Sequence, residues 1–323
     1  MKRSRRFAIL FLCLAWLPVY LAVAYNVWND TSGLFNSDFS EPRSIEPNQH
    51  FVKMRYILAN PDKYDAYCFG SSRVANIALT HIKDDHRYYN MTYSMGLPAE
   101  WLNDLKIMLK HHVSVHRVML GLDYFHFDAD PAPHATDLLR IPYQENNFPV
   151  YMAYLFRIPK APNPKMRMDY EVLYDIYGHG QTLHDAPDRI IEADPDAHRK
   201  KFEGAKSGAP NKLHRKDKAL EELREIKDLC DANGIELIVF INPIEHITYS
   251  GIDKNEVNEI RRRLATITSY YDFSGLNRIT TDDYYYYELS HYRPIVGDMI
   301  LHRIFDMPKD AETDFGKYVE QTN

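Results

Sequence analysis

Gly70-Ser71-Ser72-Arg73 closes a short apolar run and opens a segment, Val74 to Leu79, that can start a helix. Turns favour Gly and Ser on conformational grounds, and Ser is a good helix N-cap. The same position sets a hydroxyl beside exposed N–H groups that favour developing negative charge. A serine hydroxyl still needs a base to become a nucleophile. The chain holds 15 histidines, so presence alone selects none. His291 is distinguished by context, because it lies three residues after Glu288 in YYYYELSHYRP, between the last strand-like run and the last helical one. A carboxylate at that spacing can accept a hydrogen bond from the second ring nitrogen, fix the tautomer and stabilise the imidazolium. Ser72, His291 and Glu288 are therefore the candidate nucleophile, base and acid of an acyl transfer. Beside them, Arg73 suits either an anionic group or a surface ion pair.

These distant residues meet only if the elements between them are arranged suitably. Short apolar runs at YDAYCF, RYYNMTYS, VHRVMLGLDYF, IELIVFINP and YYDFSG read as five strands. RVANIALTHI, PAEWLNDLKIMLKHH, KDKALEELREIKDLCDANG, DKNEVNEIRRRLATI and RPIVGDMILHRIF read as helices between and after them. Strict alternation implies a parallel sheet covered on both faces, doubly wound. In such a sheet the turn after the first strand and the loop before the last helix return to one carboxyl edge. Between about residues 125 and 210 the rhythm lapses into a proline-rich insertion with helix-like pieces at PVYMAYLFR and YEVLYDIYG. It starts at a strand's carboxyl end, where open α/β sheets bind ligands, so a lid or an acceptor groove is expected there. Residues 307–323 read as a loose tail.

The chain has 323 residues, a formal charge of −6 and 45% hydrophobic residues. This balance offers no argument for a nucleic-acid partner. At the N-terminus, MKRSRR precedes an uncharged run from Phe7 to Tyr25, close to the ~20 residues of a bilayer span. An uncleaved anchor is favoured over a signal peptide cut near Ala22-Val23-Ala24. The positive-inside rule then keeps residues 1–25 as a cytoplasmic tip and anchor, with residues 26–60 as a stalk and residues 61–306 as an extracytoplasmic domain. Cys13, Cys68 and Cys230 form no disulfide framework.

The paired motifs Gly70-Ser71-Ser72 and Glu288-Leu289-Ser290-His291 resemble those of the SGNH/GDSL hydrolase superfamily. They are most similar to its membrane-anchored, extracytoplasmic branch, which includes the D-alanyl-transfer protein of teichoic acid synthesis and SGNH-like proteins of exopolysaccharide acylation. The resemblance spans roughly Asp65 to Phe305 without the insertion. It implies a three-layer αβα, flavodoxin-like sheet of about five strands and no cofactor. It also implies serine-based O-acyl transfer or ester hydrolysis on an envelope polysaccharide, with a polytopic membrane acyl donor as partner. Gly96 corresponds to the family's second block, which supplies a backbone N–H to the oxyanion, beside the N–H of Ser72 itself. Gly121-Leu122-Asp123 stands where the family has Gly-x-Asn. An ionised Asp123 beside an oxyanion would repel it. Three arrangements are open: Asp123 points elsewhere, it is held protonated, or another donor substitutes. A non-catalytic envelope binding or assembly protein on a degraded scaffold is the alternative.

Other constellations have plainer readings beside the chemical ones. His126, Asp128, Asp130 and His134 are metal-ligand types in a loop without metal spacing, and a solvated loop is favoured. Asn242 and His246 follow the fourth strand, and line the substrate groove or pack a turn. The basic run between Lys200 and Lys218 reads as a linker.

Overall fold

The computed structural model describes residues 2–30, 32–35, 47–159, 173–183, 185–209 and 212–322. Parts of the expected stalk (36–46) and of the insertion (160–172, 184 and 210) therefore lie outside the described residues. The strands are β1 (Ala66–Phe69), β2 (Tyr88–Asn90), β3 (Arg117–Leu122), β4 (Leu173–Tyr174), β5 (Thr182–Leu183), β6 (Glu236–Ile241), β7 (Tyr270–Asp272) and β8 (Lys317–Val319). The helices are α1 (Lys2–Asn29), α2 (Gln49–Ala59), α3 (Pro98–Lys110), α4 (Phe148–Leu155), α5 (Asp185–Ala193), α6 (Pro195–Arg199), α7 (Lys216–Ala232), α8 (His246–Gly251), α9 (Lys254–Ala265) and α10 (Pro294–Leu301).

Six strands form one mixed, mostly parallel sheet in the order β2-β1-β3-β6-β7-β8, and β4 and β5 make a separate antiparallel pair. The five strands read from the sequence are its parallel part. The expected loose tail instead returns as β8, antiparallel to β7 through Tyr271 opposite Tyr318. Period-two alternation sorts strand side chains between two cores. Tyr67, Phe69, Val118, Leu120, Val239 and Tyr270 face the side covered by α2, α3, α7 and α9. Ala66, Cys68, Met119, Phe240 and Tyr271 face α10 and the segment after β1. Cys68 and Cys230 are both free, and the sheet separates them because they belong to opposite cores.

The crossovers obey one hand. Those from β2 to β3, β3 to β6 and β6 to β7 move in one direction along the sheet, with helices on one face. The crossover from β1 to β2 moves the other way and runs over the opposite face. A right-handed rule demands that change of face. It leaves a switch point between β1 and β3, the crevice where open sheets of this kind bind ligands.

Two expectations about helices fail for local reasons. Val74–His81 is not a helix but two short 3-10 turns, Val74–Asn76 and Leu79–His81. Asn76 donates its side chain to the Tyr292 carbonyl at 2.8 Å, and α10 comes so close that a Cβ on Gly297 would lie 3.1 Å from Ile77 Cα. Tertiary anchoring has overridden the helical pattern. The helix-like piece around Tyr174 is the β4–β5 hairpin, and it braces β2: the Tyr89 hydroxyl donates to the Ile176 carbonyl at 2.7 Å.

The stalk reading also needs correction. Its last part is α2, which buries Phe51, Met54 and Ile57 in the domain. α1 contains one stretch, Arg5–Asn29, long and apolar enough to cross a membrane.

Where β1 and β3 end, two glycines admit one side chain. A Cβ on Gly121 would lie 2.4 Å from Val74 Cγ2 and 2.8 Å from Phe240 Cζ. Gly121→Ala therefore overpacks this seam and should cost about 1–3 kcal/mol, read as a lower urea midpoint with an unchanged slope.

Candidate active site

Ser72 leaves the carboxyl end of β1 at the switch point and lies just ahead of the first 3-10 turn. Its Oγ is 2.8 Å from His291 Nε2. His291 Nδ1 is 2.5 Å from Glu288 Oε1. An ionised carboxylate only accepts, so the ring proton sits on Nδ1 and Nε2 is left to accept from the Ser72 hydroxyl. The three residues singled out by spacing are thus brought together across 219 residues of chain.

The local turn explains why Glu288 can serve at three residues' distance. Its Oε2 accepts from the Ser290 N–H at 2.9 Å and its Oε1 from the His291 N–H at 2.8 Å. The carboxylate caps the turn that carries its partner. Burial works to raise the Glu288 pKa, but the imidazole and the two backbone donors outweigh it, and the net direction is downward. Glu288 therefore stays ionised through the neutral range.

Arg73 replaces the expected surface ion pair with an internal clamp. Its Nε donates to the Ser290 carbonyl at 2.7 Å and Nη2 to the Ser290 hydroxyl at 2.6 Å. Its Nη1 lies 3.0 Å from Asp123 Oδ1, and its guanidinium stacks 5.3 Å over the Phe125 ring. One side chain thus joins the residue after Ser72, the residue before His291 and the end of β3. It is not available as a binder of external anions.

Asp123 takes the first of its three open arrangements, since it points into this clamp. It accepts from Ser71 Oγ at 2.6 Å and from Asn242 Nδ2 at 3.1 Å, besides pairing with Arg73. Asn242 Oδ1 in turn accepts from the Tyr292 hydroxyl at 3.0 Å. Ser71, Asp123 and Asn242 are all buried, so this trio holds the floor of the site rather than lining a groove. The assignment of Asp123 to the oxyanion position is therefore corrected.

Gly96 is corrected too. Its N–H donates to the Tyr93 carbonyl at 3.2 Å, closing a turn. A Cβ there would fall 2.6 Å from the Gly70 carbonyl oxygen. Gly96 is required for close packing of its turn on the Gly70–Ser72 turn. The Ser72 N–H, by contrast, donates to no group among the described residues.

Residues that spacing did not reveal complete the assembly. Ser290 receives Arg73, Tyr292 steadies Asn242, and Asn76 ties the first turn to Tyr292. Adjacency to His291 was the only available signal for two of them, and none existed for Asn76. The insertion buttresses the same loop: Arg293 Nε bonds Asp188 Oδ1 of α5 at 2.5 Å, and His198 Nε2 of α6 donates to the Tyr286 carbonyl at 2.7 Å. In its described part the insertion braces the histidine loop.

The loop histidines and acids are dispersed among separate partners. His126 Nδ1 accepts from the Asp123 N–H at 3.0 Å, Asp128 pairs with His214 at 2.9 Å, and His134 pairs with Glu100 at 2.7 Å. Among the described residues, two other groups bring ligand atoms within 4.8 Å: Asp65 with His86 and His116, and Glu245 with His246 and Asp283. Asp65 already pairs with Arg87, and both Glu245 oxygens cap α8.

The sequence matches no family model and no curated protein.

Burial depresses the His126 pKa to about 4, against an ordinary value of 6.5. The folded form therefore binds fewer protons than the unfolded chain between those values, and stability falls as pH drops from about 6.5 towards 4. His126→Asn, which keeps an acceptor for the Asp123 N–H, should flatten this slope in thermal melts across that range.

Proposed function

We propose that the protein is a membrane-anchored, SGNH-type serine acyltransferase or esterase acting on a cell-envelope or secreted polysaccharide. The observation that carries the reading is the continuous hydrogen-bonded line Ser72–His291–Glu288 at the sheet's switch point. The strand order supports the finer fold reading, because its parallel part runs in the sequence of a flavodoxin-like, three-layer αβα domain, with β8 added at one edge.

In this reading His291 Nε2 takes the Ser72 proton as Oγ bonds to the carbonyl carbon of an ester or thioester. The tetrahedral oxyanion faces the Ser72 N–H. It collapses as the imidazolium gives its proton to the departing alcohol or thiol, leaving an acyl-serine. A sugar hydroxyl, or water, then attacks that acyl-serine while His291 takes its proton, and returning this proton to Oγ restores Ser72. An anchor holds the domain beside substrates made at the membrane, raising their effective concentration. That favours transfer to an extracytoplasmic polymer, with a polytopic membrane protein as acyl donor.

Two observations favour a second reading, a non-catalytic binding or assembly protein. Gly96 spends its N–H within a turn, and Asp123 stands in place of an oxyanion-binding Asn.

A fluorophosphonate probe separates the two. The intact chain in detergent should label, Ser72→Ala should not, and Glu288→Gln should label about 10²–10⁴-fold more slowly. Arg73→Lys keeps the charge but loses the fork and should slow labelling by about 10²-fold. A well-folded chain that refuses the probe sinks the catalytic reading and leaves the binding protein.

A further inference from the structure

The join between α1 and the domain is hydrogen-bonded and packed, and it exposes an apolar surface. In the last turn of α1, Asn26 donates its side chain to the Leu155 and Arg157 carbonyls at 3.0 Å each. The Tyr154 hydroxyl donates back to the Asn26 carbonyl at 3.2 Å. Leu34, Phe51, Val150 and Tyr154 then form a small buried core that unites the anchor's exit, α2 and α4. α4 is thus pinned to the end of the anchor at a defined height.

That height follows from helix geometry. The apolar stretch Arg5–Asn29 has 25 residues, about 37 Å of α-helix at about 1.5 Å per residue. The hydrocarbon core is about 30 Å thick, and about 40–45 Å with headgroups. Asn26 therefore lies at the outer boundary of the hydrocarbon, and the end of α4 lies there with it. From Asn146 to Phe156 the chain carries no charged residue. Around this level Phe148, Phe156, Ile158 and Trp28 are 66%, 63%, 85% and 85% exposed. Arg157 lies with its guanidinium 4.2 Å from the Tyr154 ring centroid, leaving Phe156 and Ile158 on either side of it to face outward.

We propose that α4 and the Phe156–Ile158 segment form a second membrane contact, seated in the outer headgroup and acyl boundary beside the anchor. The surface has the aromatic and aliphatic character of an interfacial element, and it is continuous with the helix that crosses the bilayer. It also orients the site. The first turn of α2 lies beside residues that follow the carboxyl end of β2: His50 stacks on Tyr93 at 3.9 Å and Lys53 donates to the Thr92 carbonyl at 2.6 Å. Asn48 Nδ2 donates to the Ile141 carbonyl at 2.9 Å, and Arg140 to Ser94 Oγ at 3.2 Å. The anchor and α4 thus join the domain at the same sheet edge that carries Ser72. The contact turns that edge towards lipid, so the substrate it meets is one presented at the bilayer surface. The inference rests on α1 spanning the membrane, not on the serine being reactive.

The test uses the whole chain in phosphatidylcholine–phosphatidylglycerol nanodiscs. Cys13→Ser removes the exposed thiol, and Phe156→Cys or Asp310→Cys then carries an NBD fluorophore. Position 156 should be blue-shifted, quenched by doxyl lipid and protected from aqueous iodide, whereas position 310 should show the reverse. Ile158→Asp, at a largely exposed side chain, should weaken the lipid quenching at 156 without lowering the melting temperature. Iodide quenching at 156 equal to that at 310 overturns the proposal, since the surface then faces water. Protection from both quenchers also overturns it, since protein covers the patch. Fluorophosphonate labelling, measured on the same samples, reports separately on the catalytic reading.

Discussion

The pairing of the largely enclosed Arg73 guanidinium with the buried Asp123 carboxylate is the constraint on which the site depends. Ser72 and His291 come from opposite ends of the chain, and neither turn has enough regular structure to hold itself. A guanidinium has five donors in a fixed plane, and here they are divided between Ser290 and Asp123. Planarity converts one charge into three positional restraints. Asp123 is in turn held by Ser71 and Asn242, so the first, third and fourth parallel strands are tied together at their carboxyl ends. A buried ion pair of this kind adds little net stability. Removing one partner would strand the other charge and cost about 3–5 kcal/mol. Its contribution is geometric, because it sets which loops lie side by side.

The same division of labour appears on the outer side of the histidine loop. Arg293 is buried and reaches Asp188 and Glu192 of α5, while His198 of α6 holds the Tyr286 carbonyl. Glu288 and His291 therefore sit in a loop gripped from both sides by arginines. Glu288 and His291 themselves stay partly exposed, with side chains 54% and 37% accessible.

How legible this was depended on the range of the interactions. Local periodicity was enough for the five parallel strands and for α3, α7 and α9, whose apolar stripes each face one core. The short spacing from Glu288 to His291 was legible for the same reason, since a three-residue turn closes on itself. Misreadings arose where distant partners outweighed local preference. Val74–His81 reads as helix but is pulled into 3-10 turns by Tyr292 and Gly297. The tail reads as loose but gains backbone partners along β7. Arg73 reads as a surface cation, because nothing in its own neighbourhood shows that Ser290 will lie beside it.

What the sequence determined by itself was the set of chemical groups and the rhythm of elements. An uncharged N-terminal run, strands alternating with helices, a serine at a turn and a carboxylate three residues before a histidine are all written in nearest-neighbour patterns. Only the tertiary structure decided how those groups are used. It spent the Gly96 N–H and the Asp123 carboxylate on internal partners and gave Arg73 to a clamp. It also packed the last part of the apparent stalk into the domain as α2 and tied the end of α1 to the segment after α4. The physical reason is that a hydrogen-bonding group has few bonds to make. Which partners saturate it is settled by residues that folding brings close, whatever their separation along the chain.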